Sequence, residues 1–145
     1  MRVLFDTNVL LDALLARESF VSDATFLLEA VELGQIKGFM SATTVTDVHY
    51  LVGRQTKSAD AAVSAVTRLL ALMEVCPVNR EVLEQAVALK LSDFEDAVQV
   101  ACAIASGLDL ITTRDAIGFK GSPISVIEPI ELKHILMEQD ISSNE

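Results

Sequence analysis

The chain of 145 residues contains little cysteine and few residues that interrupt regular structure. Cys76 and Cys102 are isolated, with neither CxxC spacing nor a neighbouring Cys/His cluster, which argues against a disulfide framework and a zinc site. We expect both to be small core residues. The three prolines and six glycines are scattered, and there is no tryptophan. No repeat or low-complexity block is visible, so the sequence predicts a single globular domain.

The predicted domain spans residues 1–138, and residues 139–145 form a polar carboxyl-terminal tail that we expect to be frayed. Long hydrophobic runs are also missing, because the longest uncharged stretch is only the 12 residues from Ala97 to Leu108. A membrane-spanning helix needs about 20 residues. Asp6 interrupts the amino terminus before a signal-peptide core could form. We therefore expect a soluble, cytoplasmic protein without membrane association.

Basic residues are scarce, with 11 Lys and Arg against 21 Asp and Glu, for a formal net charge of −10. This balance argues against a protein that coats nucleic acid by neutralising phosphates. A polyanionic substrate would need metal ions or a local basic patch. The candidates for such a patch are Arg54 with Lys57, Arg114 with Lys120, and Arg17.

Short apolar segments and helical periodicity predict an α/β order. The strand candidates are Arg2–Phe5, Gly38–Met40, Glu74–Cys76, Asp109–Ile111 and Ser125–Ile127. The helix candidates are Thr7–Leu15, Ser22–Gly34, Thr44–Gly53, Ala59–Met73, Arg80–Leu91 and Asp93–Ser106. Capping residues are expected at Asp6, Ser22 with Asp23, and Thr43 or Thr44, with Gly34 and Gly53 as stops. Strands separated by helices predict a parallel sheet covered on both faces, with functional groups at its carboxyl edge.

Acidic residues stand where these elements begin, and each has an ordinary structural explanation. Asp6 could be a helix N-cap, and Asp47 could complete a capping box with Thr44. Asp93 and Asp96 fit an acidic first turn behind a capping Ser92. The remaining acid, Asp115, is a common turn residue.

One feature argues for a functional role beyond these structural explanations. Each of Asp6, Asp96 and Asp115 adjoins an apolar element predicted to be buried. Asp96 precedes the apolar run Ala97–Ala105, where an unpaired carboxylate would be costly. With only 11 bases in the chain, a bound cation is a natural partner. Asp93 and Asp96 are three residues apart and share one helix face, whereas Glu95 is expected to point elsewhere.

The proposed ligands are all oxygen donors, which suits Mg²⁺ or Mn²⁺ and disfavours zinc. Such ions activate water and neutralise charge on a phosphate, so the expected chemistry is phosphate-ester hydrolysis. No P-loop, GxGxxG, GxSxG or HExxH motif competes with this interpretation. His49 and His134 are isolated, and we expect them to be structural or surface residues.

Three segments, Leu4–Leu10, Asp93–Ala101 and Leu110–Asp115, carry a resemblance that covers essentially the whole chain. With these motifs the sequence resembles the PIN-domain family of metal-dependent ribonucleases, which includes VapC-type toxins of prokaryotic toxin-antitoxin modules. The resemblance implies a three-layer α/β/α sandwich around a mainly parallel sheet of about five strands.

The resemblance also implies the site. It identifies Asp6, Asp96 and Asp115 as metal-coordinating catalytic acids. The family's second acid is usually a glutamate on the third helix, whereas this chain has Asp47 there, one methylene shorter. We expect Asp47 to take part in catalysis and to reach the ion through water. Asp93 resembles an extra acid found in one branch of the PIN family. This acid either contacts the ion directly or acts through another ligand. The supporting residues implied are Asn8 and Thr112 or Thr113.

The expected function is that of a Mg²⁺- or Mn²⁺-dependent endoribonuclease, with RNA as its substrate. The resemblance further implies a homodimer or higher homo-oligomer and, for toxin members, an antitoxin protein that covers the groove. The helix Ala59–Met73 is rich in small and apolar residues, which suits either a dimer interface or the core.

Two other functions are compatible with parts of the sequence. A phosphatase of the haloacid dehalogenase type also has an aspartate after its first strand, but its second aspartate is replaced here by Asn8, which cannot transfer a proton. A PIN-like scaffold with a degenerate site would bind a protein or RNA partner without cleaving it. The departure at Asp47 and the net charge of −10 favour that alternative.

Overall fold

Five parallel strands form one sheet in the computed structural model, which describes residues 1–144. The strands are β1 (Arg2–Phe5), β2 (Lys37–Ser41), β3 (Glu74–Cys76), β4 (Leu110–Thr112) and β5 (Ser125–Ile127). Their order across the sheet is β3-β2-β1-β4-β5. This confirms the parallel sheet predicted from the sequence.

Helices cover both faces of this sheet and give the predicted three-layer sandwich. They are α1 (Thr7–Leu14), α2 (Val21–Glu32), α3 (Ala42–Thr56), α4 (Ala59–Leu72), α5 (Arg80–Leu89), α6 (Phe94–Ala105) and α7 (Pro129–Ser143). Within residues 1–144, none of the helices has both the length and the apolar character needed to cross a membrane.

The central strand β1 separates two cores, because its side chains alternate between the faces of the sheet. Val3 and Phe5 are fully buried in the core shared with α1, α2, α3, α4 and α7. Leu4, equally buried, faces the opposite core with Phe39 and the apolar side of α6. The apolar run Ala97–Ala103 of α6 is buried throughout, as its composition predicts.

The chain steps outward from β1 in both directions, first to β2 and β3 on one side and then to β4 and β5 on the other. In a parallel sheet, this change of direction leaves a crevice at the carboxyl ends of the strands. The segments that follow β1, β2 and β4 therefore converge at one edge, and they carry Asp6, Asp47 and Asp115.

Several predicted helix ends are wrong. Helix α2 begins at Val21, without a side-chain cap. Helix α3 is capped by Ser41, whose hydroxyl accepts a 3.2 Å hydrogen bond from the Thr44 amide, so neither Thr43 nor Thr44 is the cap. It then passes through Gly53 and ends at Lys57, which takes a left-handed conformation with φ 55°. Gly34 does follow the end of α2, with φ 77°.

Helix α7 was not predicted, because its apolar residues lie on all sides of the helix. Leu132 and Leu136 are buried, whereas Ile130, Ile135 and Met137 are exposed, so no single apolar stripe marks it. Lys133 Nζ lies 3.4 Å from Asp23 Oδ1 of α2 and joins the two helices. Helix α7 continues to Ser143, into the predicted polar tail, whose fraying stays a prediction. The domain boundary at residue 138 stays a prediction.

Candidate active site

Asp6 lies at the end of β1 and is 6% exposed. It occupies the N-cap position of α1, but its carboxylate does not accept a hydrogen bond from that helix. Instead, Oδ1 accepts a 3.0 Å bond from Gln99 Nε2 and Oδ2 a 2.8 Å bond from Thr113 Oγ1. The simple N-cap explanation is therefore wrong, since two buried side chains from α6 and the end of β4 hold this carboxylate.

Thr113 connects Asp6 to the loop after β4. Its hydroxyl donates to Asp6 and also accepts a 3.1 Å bond from the backbone amide of Asp115. Asp115 is exposed, and its Oδ1 accepts a 3.4 Å bond from the Gly118 amide. One buried threonine thus fixes the relative position of two of the predicted acids.

The N-cap and first turns of α6 contribute four polar side chains to one pocket. Asp93 is the N-cap and accepts a 3.0 Å hydrogen bond from the Asp96 amide, so Asp93, not Ser92, caps the helix. Asp96 lies one turn before the buried Gln99, on the same side of α6. This spacing presents the Asp96 carboxylate and the Gln99 amide to the same edge of the sheet.

Glu95 does not point away from the other acids, which corrects the expectation from helical spacing. It lines the same pocket as Asp47, and interaction with Asp47 is the largest cause of its raised pKa. Asp47 lies on the second turn of α3, because that helix begins at Ala42, so the capping-box explanation for Asp47 is also wrong. An acid from α3 and one from α6 therefore meet across the crevice.

The pocket enclosed by these elements has a volume of about 320 Å³. Among residues 1–144, six acidic residues line it and no basic residue does. Tyr50 also lies on its wall, with 62% of the residue exposed. The acidic lining residues are Asp6, Asp47, Asp93, Glu95, Asp96 and Asp115.

Crowding of negative charge changes the acidity of two of these groups. Burial raises the pKa of Asp96 to about 7, and the charges of Asp93 and Asp6 act in the same direction. The hydrogen bond with Asp47 raises the pKa of Glu95 to about 7, with burial as the next cause. Near neutral pH the metal-free pocket therefore holds protons that ordinary carboxylates would have lost.

Gly118 provides space for two of the acids. A side-chain carbon added at Gly118 would overlap Asp96 Oδ2 and would lie 3.2 Å from Asp115 Oδ2. Asp96 and Asp115 thus flank the same glycine. An alanine at this position would displace the Asp96 carboxylate.

The donor set fits a hard divalent cation that keeps part of its water shell. Within residues 1–144, no three acidic, His or Cys side chains are close enough to enclose an ion by themselves. Mg²⁺ commonly binds through one or two carboxylates and retains several waters. Gln99 lines the pocket, and its Oε1 atom is buried and accepts no hydrogen bond from the described residues. A hydrated ion would supply donors to such an atom.

The predicted supporting residues occupy different places. Asn8 lines the pocket, and its Oδ1 accepts a 3.1 Å bond from Arg17 Nη1. Thr113 contacts Asp6 through its hydroxyl, whereas Thr112 contributes its carbonyl oxygen, 3.1 Å from the Asp6 amide. The roles of the predicted site residues in metal binding and catalysis stay predictions.

Gln99, Glu95 and Gly118 are the site residues that the sequence analysis missed. The sequence does contain a signal for Gln99, because it is a polar residue inside an apolar helix, three residues after Asp96. Gly118 gives no such signal, because its importance depends on a contact with Asp96 across the fold.

Residues 2–116 match the family model described as the PIN domain. This chain belongs to the PIN domain family. The match covers the strands, helices and acids that build the pocket up to Asp115, so the family predicted from the motifs is confirmed. No significant match was found among curated protein sequences.

Several solved structures share the fold. A toxin-antitoxin complex from Klebsiella pneumoniae is 25% identical, with a TM-score of 0.65, and the match covers 88% of this chain and 97% of that one. FitAcB from Neisseria gonorrhoeae is 21% identical, with a TM-score of 0.67 and coverage of 88% and 98%. VapC20 from Mycobacterium tuberculosis, a sarcin-ricin loop cleaving toxin, is 19% identical, with a TM-score of 0.62 and coverage of 75% and 86%.

Proposed function

We propose that this PIN protein is a Mg²⁺- or Mn²⁺-dependent endoribonuclease that hydrolyses RNA phosphodiester bonds. The observation that carries the proposal is the pocket at the carboxyl edge of the sheet, lined by six acids and no base. A pocket of this charge repels a phosphate unless cations are bound. RNA is the proposed substrate because one structural neighbour is a sarcin-ricin loop cleaving toxin.

Asp6, Asp96 and Asp115 are the proposed metal ligands, each binding the ion directly or through a water of its shell. Asp6 is held rigidly by Gln99 and Thr113, while Asp96 and Asp115 flank Gly118. The Oδ1 atom of Asp93 caps the helix by accepting a hydrogen bond from the Asp96 amide. Its Oδ2 atom could therefore contact the ion, directly or through water. An ion held by these residues would supply Lewis-acid activation of water and would neutralise charge developing on the phosphate.

Asp47 is the proposed fourth catalytic acid, and Glu95 acts with it. Both side chains line the pocket, and Asp47 raises the pKa of Glu95. Glu95 has the additional methylene that Asp47 lacks relative to the usual glutamate. The pair can therefore orient water in the pocket. Because RNA bases stack on aromatic rings, the exposed Tyr50 offers a surface for the substrate.

The proposal also covers the biological role, the location, the oligomeric state and the partner of the protein. We propose that the protein is the toxin of a toxin-antitoxin module, acts in the cytoplasm, and forms a homodimer or higher homo-oligomer. The structural neighbour from Klebsiella pneumoniae, which was solved as a toxin-antitoxin complex, supports an antitoxin partner. Binding of the antitoxin over the acidic pocket would prevent entry of RNA.

Cleavage of an RNA panel in Mn²⁺ tests the proposed function. The panel includes transfer RNA, messenger RNA and an RNA that carries a sarcin-ricin loop. We expect the native protein to cut at least one RNA and to be inactive in EDTA. The Asp115→Asn variant should lose activity at least about a hundredfold, because a ligand is removed from an exposed position without a packing defect.

Asp60→Asn is the matched control, because Asp60 is an exposed acid outside the pocket, and it should cut like the native protein. Equal activity of the Asp115→Asn and native proteins would contradict the assignment of the site. Absence of cleavage across the panel would instead favour a degenerate PIN scaffold that only binds its partner.

Substitution of Gly118 by alanine is expected to reduce cleavage about a hundredfold, because misplacing a reacting group by about 1 Å has an effect of that size. The added methyl group occupies the position of Asp96 Oδ2. Gly53→Ala is the control, since its methyl group meets only the Ala62 side chain at an ordinary 3.5 Å. Single-turnover cleavage rates and melting temperatures measure both variants. Native-like cleavage by folded Gly118→Ala protein would argue against the observed position of Asp96.

A further inference from the structure

Arg17 lies at the edge of the acidic pocket, in the loop between α1 and α2. Its Nη1 donates a 3.1 Å hydrogen bond to Asn8 Oδ1 and lies 3.4 Å from Asp12 Oδ1. Asn8 is itself a lining residue of the pocket. The guanidinium therefore contacts a residue of the pocket wall, although it is not itself among the lining residues.

A buried carboxylate anchors this position. Asp12 is 1% exposed and is paired with two arginines, Arg17 and Arg114. One buried negative charge is thus shared by two guanidinium groups, beside the pocket of a chain whose net charge is −10.

The two arginines are engaged differently. Arg114 donates from Nε at 2.8 Å and from Nη2 at 3.1 Å to the two oxygens of Asp12, and it stacks on the Phe20 ring at 4.1 Å. Arg17 uses only Nη1, at the longer distance, and a third of its side chain is exposed. Among residues 1–144, the Nε and Nη2 groups of Arg17 donate to no other protein group. Arg17 thus has donors free for a ligand.

The backbone around Arg17 is fixed despite its position in a loop. The Arg17 amide donates to the Asp12 carbonyl at 3.0 Å, and the Arg17 carbonyl accepts from Val21 at 2.9 Å. Ala16 and Ser19, on either side, adopt left-handed conformations with φ 48° and 74°. Such conformations are unfavourable for residues other than glycine and persist where the surroundings enforce them. The loop therefore presents the guanidinium in a preset position.

We propose that Arg17 binds a phosphate of the RNA next to the phosphate that is cleaved. This inference rests on the proposed nuclease function. Guanidinium groups bind phosphate through two parallel N–H bonds, and Arg17 retains unused donors. The acidic pocket can hold a phosphate only together with cations, so a neighbouring phosphate needs its own positive partner. Arg17 supplies this positive charge. It can do so because the charge of Asp12, which holds Arg17 in place, is already neutralised by Arg114.

Steady-state cleavage by Arg17→Met tests the proposal on an RNA that the native protein cuts. We expect KM to rise about tenfold with a smaller change in kcat. The slope of log(kcat/KM) against log[salt] should become shallower by about one, as for loss of one phosphate contact. Arg17→Lys should restore part of the affinity and the salt slope. Arg80→Met is the control, because Arg80 is exposed on α5 and pairs only with Glu84 at the surface.

Metal binding and folding are followed in the same variants. The rise in melting temperature caused by Mn²⁺ should be the same in the Arg17→Met and native proteins, because Arg17 is not a metal ligand. If Arg17→Met lowers the melting temperature but leaves KM and the salt slope at native values, the residue is purely structural and the proposal is overturned.

Equilibrium binding separates this proposal from the proposed function. Fluorescent RNA is titrated with Asp115→Asn protein and with the Asp115→Asn/Arg17→Met double variant in Mn²⁺. A tenfold weaker Kd in the double variant supports the phosphate contact whether or not cleavage occurs. Equal Kd values overturn it, and indicate instead that the arginine serves an acidic protein partner or folding alone. Failure of the native protein to cut any RNA contradicts the nuclease function separately.

Discussion

Asparagine in place of Asp96 is expected to abolish RNA cleavage, by at least about a thousandfold, and to make the metal-free protein more stable. The first effect follows from loss of a central carboxylate that would hold the catalytic ion. The second follows from the crowding of charge, because Asp96 is partly buried among Asp93, Asp6 and Asp115. Loss of function and gain of stability in one variant distinguish a metal ligand from a residue that supports the fold.

The stability effect depends on pH in a defined direction. The pKa of Asp96 is about 7 in the folded protein against 3.8 ordinarily, so between these values the native state binds more protons than the unfolded state. Stability of the metal-free native protein therefore falls as pH rises from about 4 to about 7. Asparagine removes this penalty, and we expect a gain of about 1 kcal/mol at pH 8, or about 3 °C in melting temperature.

Thermal denaturation in EDTA and in millimolar Mn²⁺, at pH 5 and pH 8, measures both effects. Mn²⁺ should raise the melting temperature of the native protein, because an ion that binds only the folded state stabilises it by mass action. It should have little effect on Asp96→Asn. The Asp60→Asn control should respond like the native protein. A variant that still responds fully to Mn²⁺, or cuts RNA at a tenth of the native rate, would contradict the role of Asp96.

The sheet and the positions of the main acids could be predicted because local signals agreed with the fold. Short apolar segments alternate with helical periodicity, and Asp6 and Asp115 come where strands end, so topology brings them to one edge. The apolar α6 had to be buried, and it carries Asp96 into the same crevice. These features depend on the order of residues along the chain and need no knowledge of tertiary contacts.

Features that depend on the meeting of separate segments were not predictable in this way. Helical spacing placed Glu95 on a different face from Asp96, but the crevice is wide enough for both, and Asp47 of α3 meets Glu95 there. Capping of α3 by Ser41 moved the helix start two residues earlier than its threonines suggested. Helix α7 is stabilised by contacts with α2, which its own sequence does not reveal.

Substitution of Arg114 by methionine is expected to be the most destabilising of these changes, lowering the free energy of unfolding by about 3 kcal/mol. Asp12 is 1% exposed, and Arg114 provides its two shortest hydrogen bonds. Without Arg114, the buried carboxylate retains only the 3.4 Å contact with Arg17. We expect a fall in melting temperature of roughly 10 °C. Urea denaturation followed by circular dichroism measures the free energy directly.

Removal of the buried charge should reverse most of this loss. Replacing a buried ion pair by apolar residues of similar size is often neutral, because the desolvation penalty disappears together with the attraction. The Asp12→Leu/Arg114→Met double variant is therefore expected to recover stability relative to Arg114→Met alone. The Arg80→Met control removes an exposed pair and should change stability by less than about 0.5 kcal/mol. If Arg114→Met behaves like this control, Asp12 is not the anchor of the two arginines. If it behaves as expected, Asp12 holds the positive charge of the two arginines beside an acidic pocket. Loss of one partner of this pair then lowers the free energy of unfolding measurably.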